Sequence, residues 1–351
     1  MLQLIPFLFI ASCNSTVRPS QAKASEVMLV ENSQDPISID IGDTYQDRRT
    51  LPADNVVRIN VTQEEEISYD DFKTTILTPI RDMLTNMPNI KYIVLTKGIP
   101  IRLSDKNGFS VDGQIACALM KDADLDKANE NAEVGLPNPY YKQDAHFTVK
   151  KYGFYLVTRI DGYTEEDADH LIDNAVNAKP VKGPFFFDAK PGHFKGGYEE
   201  LNSSLFRATD LLKAKGLSSR TDSAGEFVAP TAPLAGYASW GSNDEHFSSD
   251  AYHALKFLPG ALAETFVSTS ARSFLPTETG QSMIADLIAQ GVTGVKGYVS
   301  EPYTQALCRC DILFDRYTSG FNLAESFYMA SPMIKWKDVV IGDPLCNPYA
   351  K

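Results

Sequence analysis

The hydrophobic positions of the chain fall into short runs that alternate with longer amphipathic stretches. The runs are rich in β-branched and aromatic residues with little polar alternation, which is typical of strands buried on both faces of a parallel sheet. Ser68 and Thr164 each begin an amphipathic stretch as a helix-capping residue followed by acidic residues. Strands alternating with helices of about 10 to 15 residues predict βαβ units and a mainly parallel sheet.

The predicted elements follow this alternation from residue 27 onward. Strands are expected at 27–30, 56–61, 91–96, 154–159, 184–188 and 294–299, and in the segments that begin at Leu234 and Glu264. Helices are expected after Pro36 up to Arg49, at 68–84, after Thr164, at 199–213 and at 281–290. The pattern predicts an α/β fold with three layers, in which helices cover both faces of the sheet.

Composition and charge narrow the class of protein. The 351 residues, 43% of them hydrophobic, allow a large core and either one large domain or two. The formal net charge of −12, without a stripe of Lys and Arg, argues against a nucleic-acid partner, because binding to phosphates requires clustered positive charge.

The first residues resemble a bacterial lipoprotein signal. An apolar run from Leu2 to Ile10 leads into Ala11-Ser12-Cys13, the pattern in which the cysteine is acylated after cleavage. This predicts an exported protein in the cell envelope, tied to a membrane by a lipid on Cys13, with residues 14–24 as a flexible tether. An uncleaved hydrophobic N-terminus is the alternative, and no other run approaches the ~20 apolar residues of a membrane span.

The four remaining cysteines are Cys117, Cys308, Cys310 and Cys346. They are too few and too scattered for a disulfide scaffold, and Cys308-Arg-Cys310 lacks the second ligand pair of a zinc site. In an exported protein, we expect Cys308 or Cys310 to pair with Cys346 or Cys117.

Residues 104–152 interrupt the alternation and are predicted to be an insertion in a single domain that spans 25–351. Within it, acidic residues stand at positions 1, 3, 5, 9 and 12 of a potential calcium loop, whereas Lys127 replaces the glycine that such a loop needs at position 6. The expected cofactor is none, with a solvated acidic segment favoured over a calcium site at Asp122, Asp124, Asp126, Glu130 and Glu133.

Two predicted strands end abruptly in small polar residues, and they form the candidate site. The first end is 240–244 and the second is 268–272. Ligands of open α/β sheets bind beyond the carboxyl ends of parallel strands, so these residues are candidates for a ligand site. The candidate ligand-binding residues are Trp240, Gly241, Ser242, Asn243, Asp244, Thr269, Arg272 and Glu301, and the candidate catalytic residues are Ser268, Ser270 and His246.

Each candidate also has a structural interpretation. Ser268 or Ser270 could act as a nucleophile with His246 as its base, and His253 is the next base in sequence; otherwise the hydroxyls cap the following turn. The side chain of Arg272 suits a carboxylate ligand, or it forms a surface salt bridge.

The other candidates leave similar alternatives open. Trp240 could stack on a ligand or pack at a strand end. Glu301 could be a site carboxylate or part of a turn fixed by Pro302. Lys97 and Arg102, which follow another predicted strand, could face the same rim.

Six segments, taken together and in order, resemble an uncharacterised bacterial envelope family found in genomes that carry exosortase, a membrane protein-sorting system. The matching segments lie at 48–57, 92–100, 155–162, 290–303, 322–326 and 341–345. The resemblance runs from about residue 26 to the C-terminus. It implies an envelope setting and no established activity.

A more distant resemblance is to the gingipain group of caspase-like cysteine peptidases. Arg159-Ile160 ahead of Thr164, and Gly342-Asp343-Pro344, match features of that group. The resemblance implies a caspase-like fold with a catalytic His and Cys at two strand ends. Here Trp240 stands in place of the His, and residues 268–270 stand in place of the Cys.

These observations predict a caspase-like α/β domain whose strand-end site has lost the peptidase dyad, since the indole of Trp240 can donate a hydrogen bond but cannot accept a proton. The expected function is recognition of a peptide or protein in a protein-sorting or surface context. A hydrolase with a rearranged serine-based site is the alternative.

Overall fold

The computed structural model describes residues 22–130, 135–190, 192, 195–277 and 279–350. The predicted signal segment 1–13, which includes Cys13, lies outside the described residues, as do residues 14–21 of the predicted tether. Among the residues described, no helix is both long enough and apolar enough to cross a membrane.

The strands and helices alternate along most of the chain. The strands are β1 (Val27–Asn32), β2 (Val56–Ile59), β3 (Glu66–Ile67), β4 (Tyr92–Thr96), β5 (Arg102–Leu103), β6 (Leu136–Pro137), β7 (Leu156–Ile160), β8 (Phe185–Asp188), β9 (Ser219–Asp222), β10 (Leu234–Ser239), β11 (Phe257–Thr265), β12 (Gly294–Tyr298), β13 (Met333–Ile334) and β14 (Asp338–Ile341). The helices are α1 (Pro36–Arg49), α2 (Tyr69–Asp71), α3 (Thr78–Thr85), α4 (Val111–Ala116), α5 (Asp122–Glu130), α6 (Val149–Tyr152), α7 (Glu165–Val176), α8 (Gly197–Ala214), α9 (Ser249–His253), α10 (Ile284–Ala289), α11 (Cys310–Thr318) and α12 (Leu323–Ala330). A π-helix, Phe72–Leu77, joins α2 to α3, and 3₁₀ turns lie at Ala24–Glu26, Ala53–Asn55 and Gly241–Asn243.

Capping residues start the helices where the sequence predicts. Asp35 accepts a hydrogen bond from the backbone of Ile37 and precedes Pro36 at the start of α1. Thr164 and Asp167 form a reciprocal capping box at the start of α7. These local signals explain why the helix starts were predictable.

Ten strands form one sheet in the order β2-β1-β4-β7-β14-β12-β11-β10-β8-β9. Every neighbouring pair is parallel except β12 and β14. The predicted fold class, an α/β domain with a mainly parallel sheet, is confirmed. Its two hydrophobic clusters include helical residues packed on the sheet, such as Leu205 and Phe314 in one and Leu171 and Leu287 in the other.

The antiparallel junction at β14 reverses the direction of one half of the sheet relative to the other. Strands β1, β4 and β7 run with β14, whereas β8, β10 and β11 run with β12. The carboxyl ends of the two halves therefore lie at opposite edges of the sheet. The side chain of Lys97, directly after β4, nevertheless reaches the segment that follows β11, because its Nζ donates to the backbone oxygen of Phe274 at 3.3 Å. Arg102 donates to the backbone oxygen of Val299, directly after β12, at 2.9 Å.

The four cysteines after the N-terminal segment are buried and free. The predicted pairing of Cys308 or Cys310 with Cys346 or Cys117 is therefore wrong. Each thiol lies in the interior of the fold, and burial raises the pKa of Cys346 and of Cys117 to about 12.

Four of the five residues of the potential calcium loop lie in helix α5. Asp122 pairs with Arg81, and Asp126 accepts a hydrogen bond from the hydroxyl of Tyr69 at 2.9 Å. Glu133 lies outside the described residues. A regular helix differs from the wrapped loop that the calcium hypothesis requires, and the described residues contain no group of three or more His, Cys, Asp or Glu side chains placed to hold a metal ion.

Candidate functional site

The two predicted strand ends lie side by side. Strands β10 and β11 are parallel neighbours in which Ser239 pairs with Thr265. β11 spans Phe257–Thr265, so the strand predicted to begin at Glu264 starts earlier and ends at Thr265. Residues 240–244 and 268–272 follow adjacent strands at the same edge, and together they are called the strand-end site below. Gln281 links its two segments, because it donates to Asn243 Oδ1 at 2.9 Å and accepts from the backbone and hydroxyl of Thr269 at 3.0 and 2.8 Å.

A tight turn follows β10 and fixes the first segment. Gly241 has φ +51°, and a Cβ at this position would lie 2.7 Å from a methyl group of Val267, so glycine is needed here. Ser242 and Ser282 exchange backbone-to-hydroxyl hydrogen bonds at 3.1 and 2.9 Å. Asn243 donates to the backbone oxygen of Phe266 at 2.7 Å. The polar side chains after β10 thus hold the loops together.

Trp240 is a packing residue, as its structural interpretation predicted. It is 2% exposed, and its indole nitrogen donates to Asn202 Oδ1 at 2.8 Å. Its ring stacks on Tyr198, with centroids 5.8 Å apart, and meets the edge of Phe266. Trp240 therefore supports the exposed ring of Tyr198 and does not face solvent itself.

The predicted serine nucleophiles and their base are not brought together. Ser270 is fully buried, and its hydroxyl has no hydrogen-bond partner among the residues that the structure describes. Ser268 is half-buried, and its hydroxyl makes no hydrogen bond to any residue that the structure describes. His246 is exposed, and its nearest ionic neighbour is Glu245 at 3.8 Å. No Ser–His hydrogen bond forms within the described strand-end site.

His253, the second candidate base, belongs to a different arrangement. Its Nδ1 lies 3.1 Å from the hydroxyl of Ser249, and its Nε2 lies 3.3 Å from Asp286 Oδ2. Asp286 also accepts from the hydroxyl of Tyr163 at 2.8 Å. His253 lines a cavity of about 740 Å³ near the amino ends of β11 and β12, together with His170 and Phe257. Ser249, His253 and Asp286 thus form a chain of contacts outside the strand-end site.

Arg272 and Glu301 are engaged within the protein. The guanidinium of Arg272 donates to the backbone oxygens of Thr279 and Gln281 at 2.5 and 2.7 Å, so it holds the loop that follows β11. Glu301, after β12, accepts from the backbone of Tyr303 at 3.0 Å and remains exposed. Arg272 forms no salt bridge with a residue that the structure describes.

Two exposed tyrosines lie beside the strand-end site, and the sequence analysis did not select them. Tyr198 is 54% exposed at the start of α8, and Tyr303 is 53% exposed in the loop after β12. The two elements touch, because a Cβ on Gly197 would overlap the hydroxyl of Thr304. Tyr303 has φ +58°, a left-handed conformation that costs a non-glycine residue about 1 kcal/mol or more. The signal available in the sequence was an aromatic residue next to a helix start or strand end.

An acidic group at the ends of β8 and β9 was also missed. It comprises Asp188, Asp222 and Asp244, and Asp188 pairs with Asp222 in the sheet register. Burial raises the pKa of Asp188 to about 7, and the negative charges of Asp244 and Asp222 add to the rise. The buried hydroxyl of Tyr237 experiences the negative charges of Asp188 and Asp244. The strand-end rule applied to Asp188 would have identified this group.

Comparison with solved structures finds distant structural similarity. No protein-family model matches the chain, and no curated protein matches it. A solved structure described as a protease superposes with a TM-score of 0.47 at 10% sequence identity, covering 92% of this chain and 78% of that one. The resemblances to the exosortase-associated family and to gingipains stay predictions from the sequence.

Proposed function

We propose that the strand-end site binds an extended peptide or protein segment without cleaving it. The observation that carries the proposal is Tyr198, which is exposed yet held by stacking on a buried Trp240. Trp240 is in turn fixed by Asn202 and Phe266. A rigid aromatic ring offers a large contact area and loses little conformational entropy on binding, which is why tyrosine is common in binding surfaces.

Tyr303 supports the same proposal. Its strained backbone conformation is retained beside the packed contact between α8 and the loop after β12. Strain of this kind in an exposed residue is found at ligand-binding positions, where the backbone aims the side chain. The two tyrosines would grip apolar or aromatic side chains of the bound segment.

Binding without turnover is proposed on the chemistry of the described residues. In the resemblance to gingipains, Trp240 stands where those peptidases have their general base, and an indole can only donate a hydrogen bond. None of the described histidines lies within hydrogen-bond reach of Ser268, and a serine without a base is a poor nucleophile. The proposed setting is the cell envelope, with a lipid on Cys13 as the anchor and protein sorting or surface display as the context.

Replacing Tyr198 by Ala should weaken peptide binding roughly tenfold to a hundredfold, because an aromatic anchor at the centre of an interface contributes about 2 kcal/mol or more. The measurement is binding of the purified protein to a peptide array, followed by fluorescence titration of the selected peptide. Leu211→Ala is the matched control, since Leu211 is 40% exposed on the same helix. Equal affinities for the wild type and the Tyr198 variant would contradict the proposal.

Tyr303→Gly separates binding from folding. Glycine adopts the left-handed conformation without a steric cost, so the variant should be as stable as the wild type or slightly more stable in urea denaturation. Its affinity for the selected peptide should nevertheless fall about tenfold with the loss of the ring. A loss of both stability and binding would assign Tyr303 a packing role only.

A second candidate function is serine-dependent hydrolysis, and it is favoured by Ser249, His253 and Asp286. The hydrogen bond from Ser249 to His253 and the contact from His253 to Asp286 are the geometry in which a histidine can accept a serine proton. Labelling of the wild type by a fluorophosphonate probe, lost in both Ser249→Ala and His253→Ala, would support it. Labelling that persists in Ser249→Ala and disappears in Ser268→Ala would place the nucleophile in the strand-end site. If neither the wild type nor any variant is labelled, binding remains the proposed function.

A further inference from the structure

Strand β9 leaves one edge of the ten-stranded sheet open. The backbone oxygens of Ser218 and Asp222 accept hydrogen bonds from β8. In a parallel ladder, alternate residues face the same neighbour, so the backbone groups of Ser219 and Thr221 face away from β8. Neither residue has a backbone hydrogen bond to another described residue on that side. An unpaired strand edge is a template for a further strand.

The charges on β9 are complementary to those of a second β9 in the opposite direction. Arg220 and Asp222 lie on one face of the strand, on either side of Thr221. If two copies pair antiparallel about a two-fold axis at Thr221, the two Thr221 residues exchange backbone hydrogen bonds. Arg220 then stands opposite the partner's Asp222, and Asp222 stands opposite the partner's Arg220. An isologous interface requires this self-complementarity.

The guanidinium of Arg220 lies over the ring of Phe186, 4.9 Å from its centroid, and one oxygen of Asp222 accepts from the backbone of Ala224 at 2.9 Å. Arg220 is 62% exposed in its side chain and is 3.9 Å from Asp222 of its own strand, beyond the range of a close hydrogen bond. Asp222 belongs to the acidic group, in which Asp188 is buried beside Asp222 and Asp244 and the positive charge that acts on it is that of Arg220 in the same chain. The partner's Arg220 would bring a positive charge to this group.

Helix α8 adds an apolar contact on one face of the same edge. Thr209 of α8 bonds through its hydroxyl to Thr221 at 2.6 Å, which places that side of the helix over β9. Phe206 precedes Thr209 by three residues, so both lie on the same side of the helix. Phe206 is 42% exposed. In a two-fold pairing through the sheet edge, both copies of α8 lie on the same face, where the two Phe206 rings can be covered.

The opposite edge of the sheet lacks these features. It is formed by β2, whose residues are Val56, Val57, Arg58 and Ile59. This strand carries no acidic residue, so no two-fold register offers Arg58 an opposite charge from a second β2. Arg58 instead pairs with Glu31 of its own chain at 2.9 Å.

We propose that the protein forms a homodimer in which two β9 strands pair antiparallel at Thr221 and the partner's Arg220 pairs with Asp222. The occupant of the free edge is a second copy of this chain, and the two sheets become one continuous sheet. The short strand implies a small interface, so the dimer is expected to dissociate in the micromolar range, on the order of 10 µM.

The test is sedimentation velocity of the full chain, with Cys13→Ser to prevent acylation, over a concentration series from 1 to 200 µM as the order-of-magnitude range around that value. Arg220→Asp and Asp222→Arg each place like charges opposite each other and should raise the dissociation constant roughly tenfold or more. The double variant Arg220→Asp with Asp222→Arg restores opposite charges and should restore dimerisation. Thr221→Pro removes a backbone donor at the free edge, a position that tolerates proline, and should abolish the dimer without unfolding the chain.

Three outcomes overturn the proposal. The first is a monomer at all concentrations. The second is a dimer that both single charge variants leave unchanged. The third is a dimer that the double variant fails to restore although its circular dichroism matches that of the wild type. An extended peptide that binds β9 in a monomer and is lost in Thr221→Pro would assign the edge to another partner.

Discussion

Arg159→Met should destabilise the protein by about 3–5 kcal/mol, because it leaves a buried carboxylate without its partner. Arg159 is fully buried, and its Nε donates to both oxygens of Asp112 at 2.8 and 3.1 Å. Its other nitrogens donate to the backbone oxygens of Ile99 and Pro100. The variant would leave all of these acceptors without a donor, at the point where the 104–152 segment packs on β7.

The same variant should show a distinct pH dependence. Burial raises the pKa of Asp112, and Arg159 opposes that rise. Without Arg159, the pKa of Asp112 rises further. The carboxyl group is therefore protonated and uncharged at pH values below this raised pKa, and it is a buried, unpaired charge above it. The loss of stability should therefore be larger at pH 8 than at pH 5 in urea denaturation.

Arg48→Met is the matched control for Arg159→Met. Arg48 pairs with Asp173 at 2.8 Å, but both side chains are more than 40% exposed. An exposed pair contributes about 1 kcal/mol or less. A loss of less than about 1 kcal/mol in Arg159→Met as well would contradict the buried-partner argument.

The sequence predicted the buried strands well because their signals are local. β1 begins with the apolar run 27–30, β4 reads Tyr-Ile-Val-Leu-Thr, and the helix starts carry their own capping residues. β9 was missed because Ser-Arg-Thr-Asp lacks any apolar residue, and an edge strand needs fewer of them. The reversal at β14 was beyond prediction, because strand order depends on long-range pairing that no local pattern records.

The candidate site was predictable in position and less so in detail. Adjacent ends of β10 and β11 follow from the rule for parallel strands, and the structure places them side by side. The direction of each side chain depends on the turn, and Gly241 in its left-handed conformation directs the loop toward Ser282. Tyr198 was missed because it comes from α8, which is distant in sequence and reaches the site only through its contact with Trp240.

The free energy of unfolding of the wild type should fall as the pH rises, and Glu264→Gln should remove most of this fall. Glu264 is fully buried in β11 and accepts from the hydroxyl of Tyr298 at 2.8 Å, and its other oxygen has no hydrogen-bond partner in the described part of the chain. Burial raises its pKa from 4.5 to about 8. The nearby Lys296 is already 3.0 Å from Asp338 and 2.7 Å from the hydroxyl of Ser331.

The sign follows from proton linkage. Because the folded state holds the Glu264 proton more tightly than the unfolded state, its contribution to stability is complete below about pH 4.5 and is lost as the pH rises through about 8. Each pH unit in this window changes the free energy of unfolding by up to about 1.4 kcal/mol. Glutamine is neutral at every pH and nearly isosteric. The variant should therefore match the wild type within about 1 kcal/mol at pH 5 and exceed it by roughly 3 kcal/mol at pH 8.5.

The measurement is urea denaturation of the wild type and Glu264→Gln at pH 5, 7 and 8.5, with Asp188→Asn as the matched control. Burial raises the pKa of Asp188 to about 7, so its contribution to stability is lost at a lower pH than that of Glu264. The stability of Asp188→Asn relative to the wild type should increase mainly between pH 5 and 7. The stability of Glu264→Gln relative to the wild type should continue to increase between pH 7 and 8.5. Parallel pH curves for the wild type and Glu264→Gln would show that Glu264 is ionised in the fold. In that case, Lys296 would have to be shared between Glu264 and Asp338, and Lys296→Met would then be the more destabilising change at high pH.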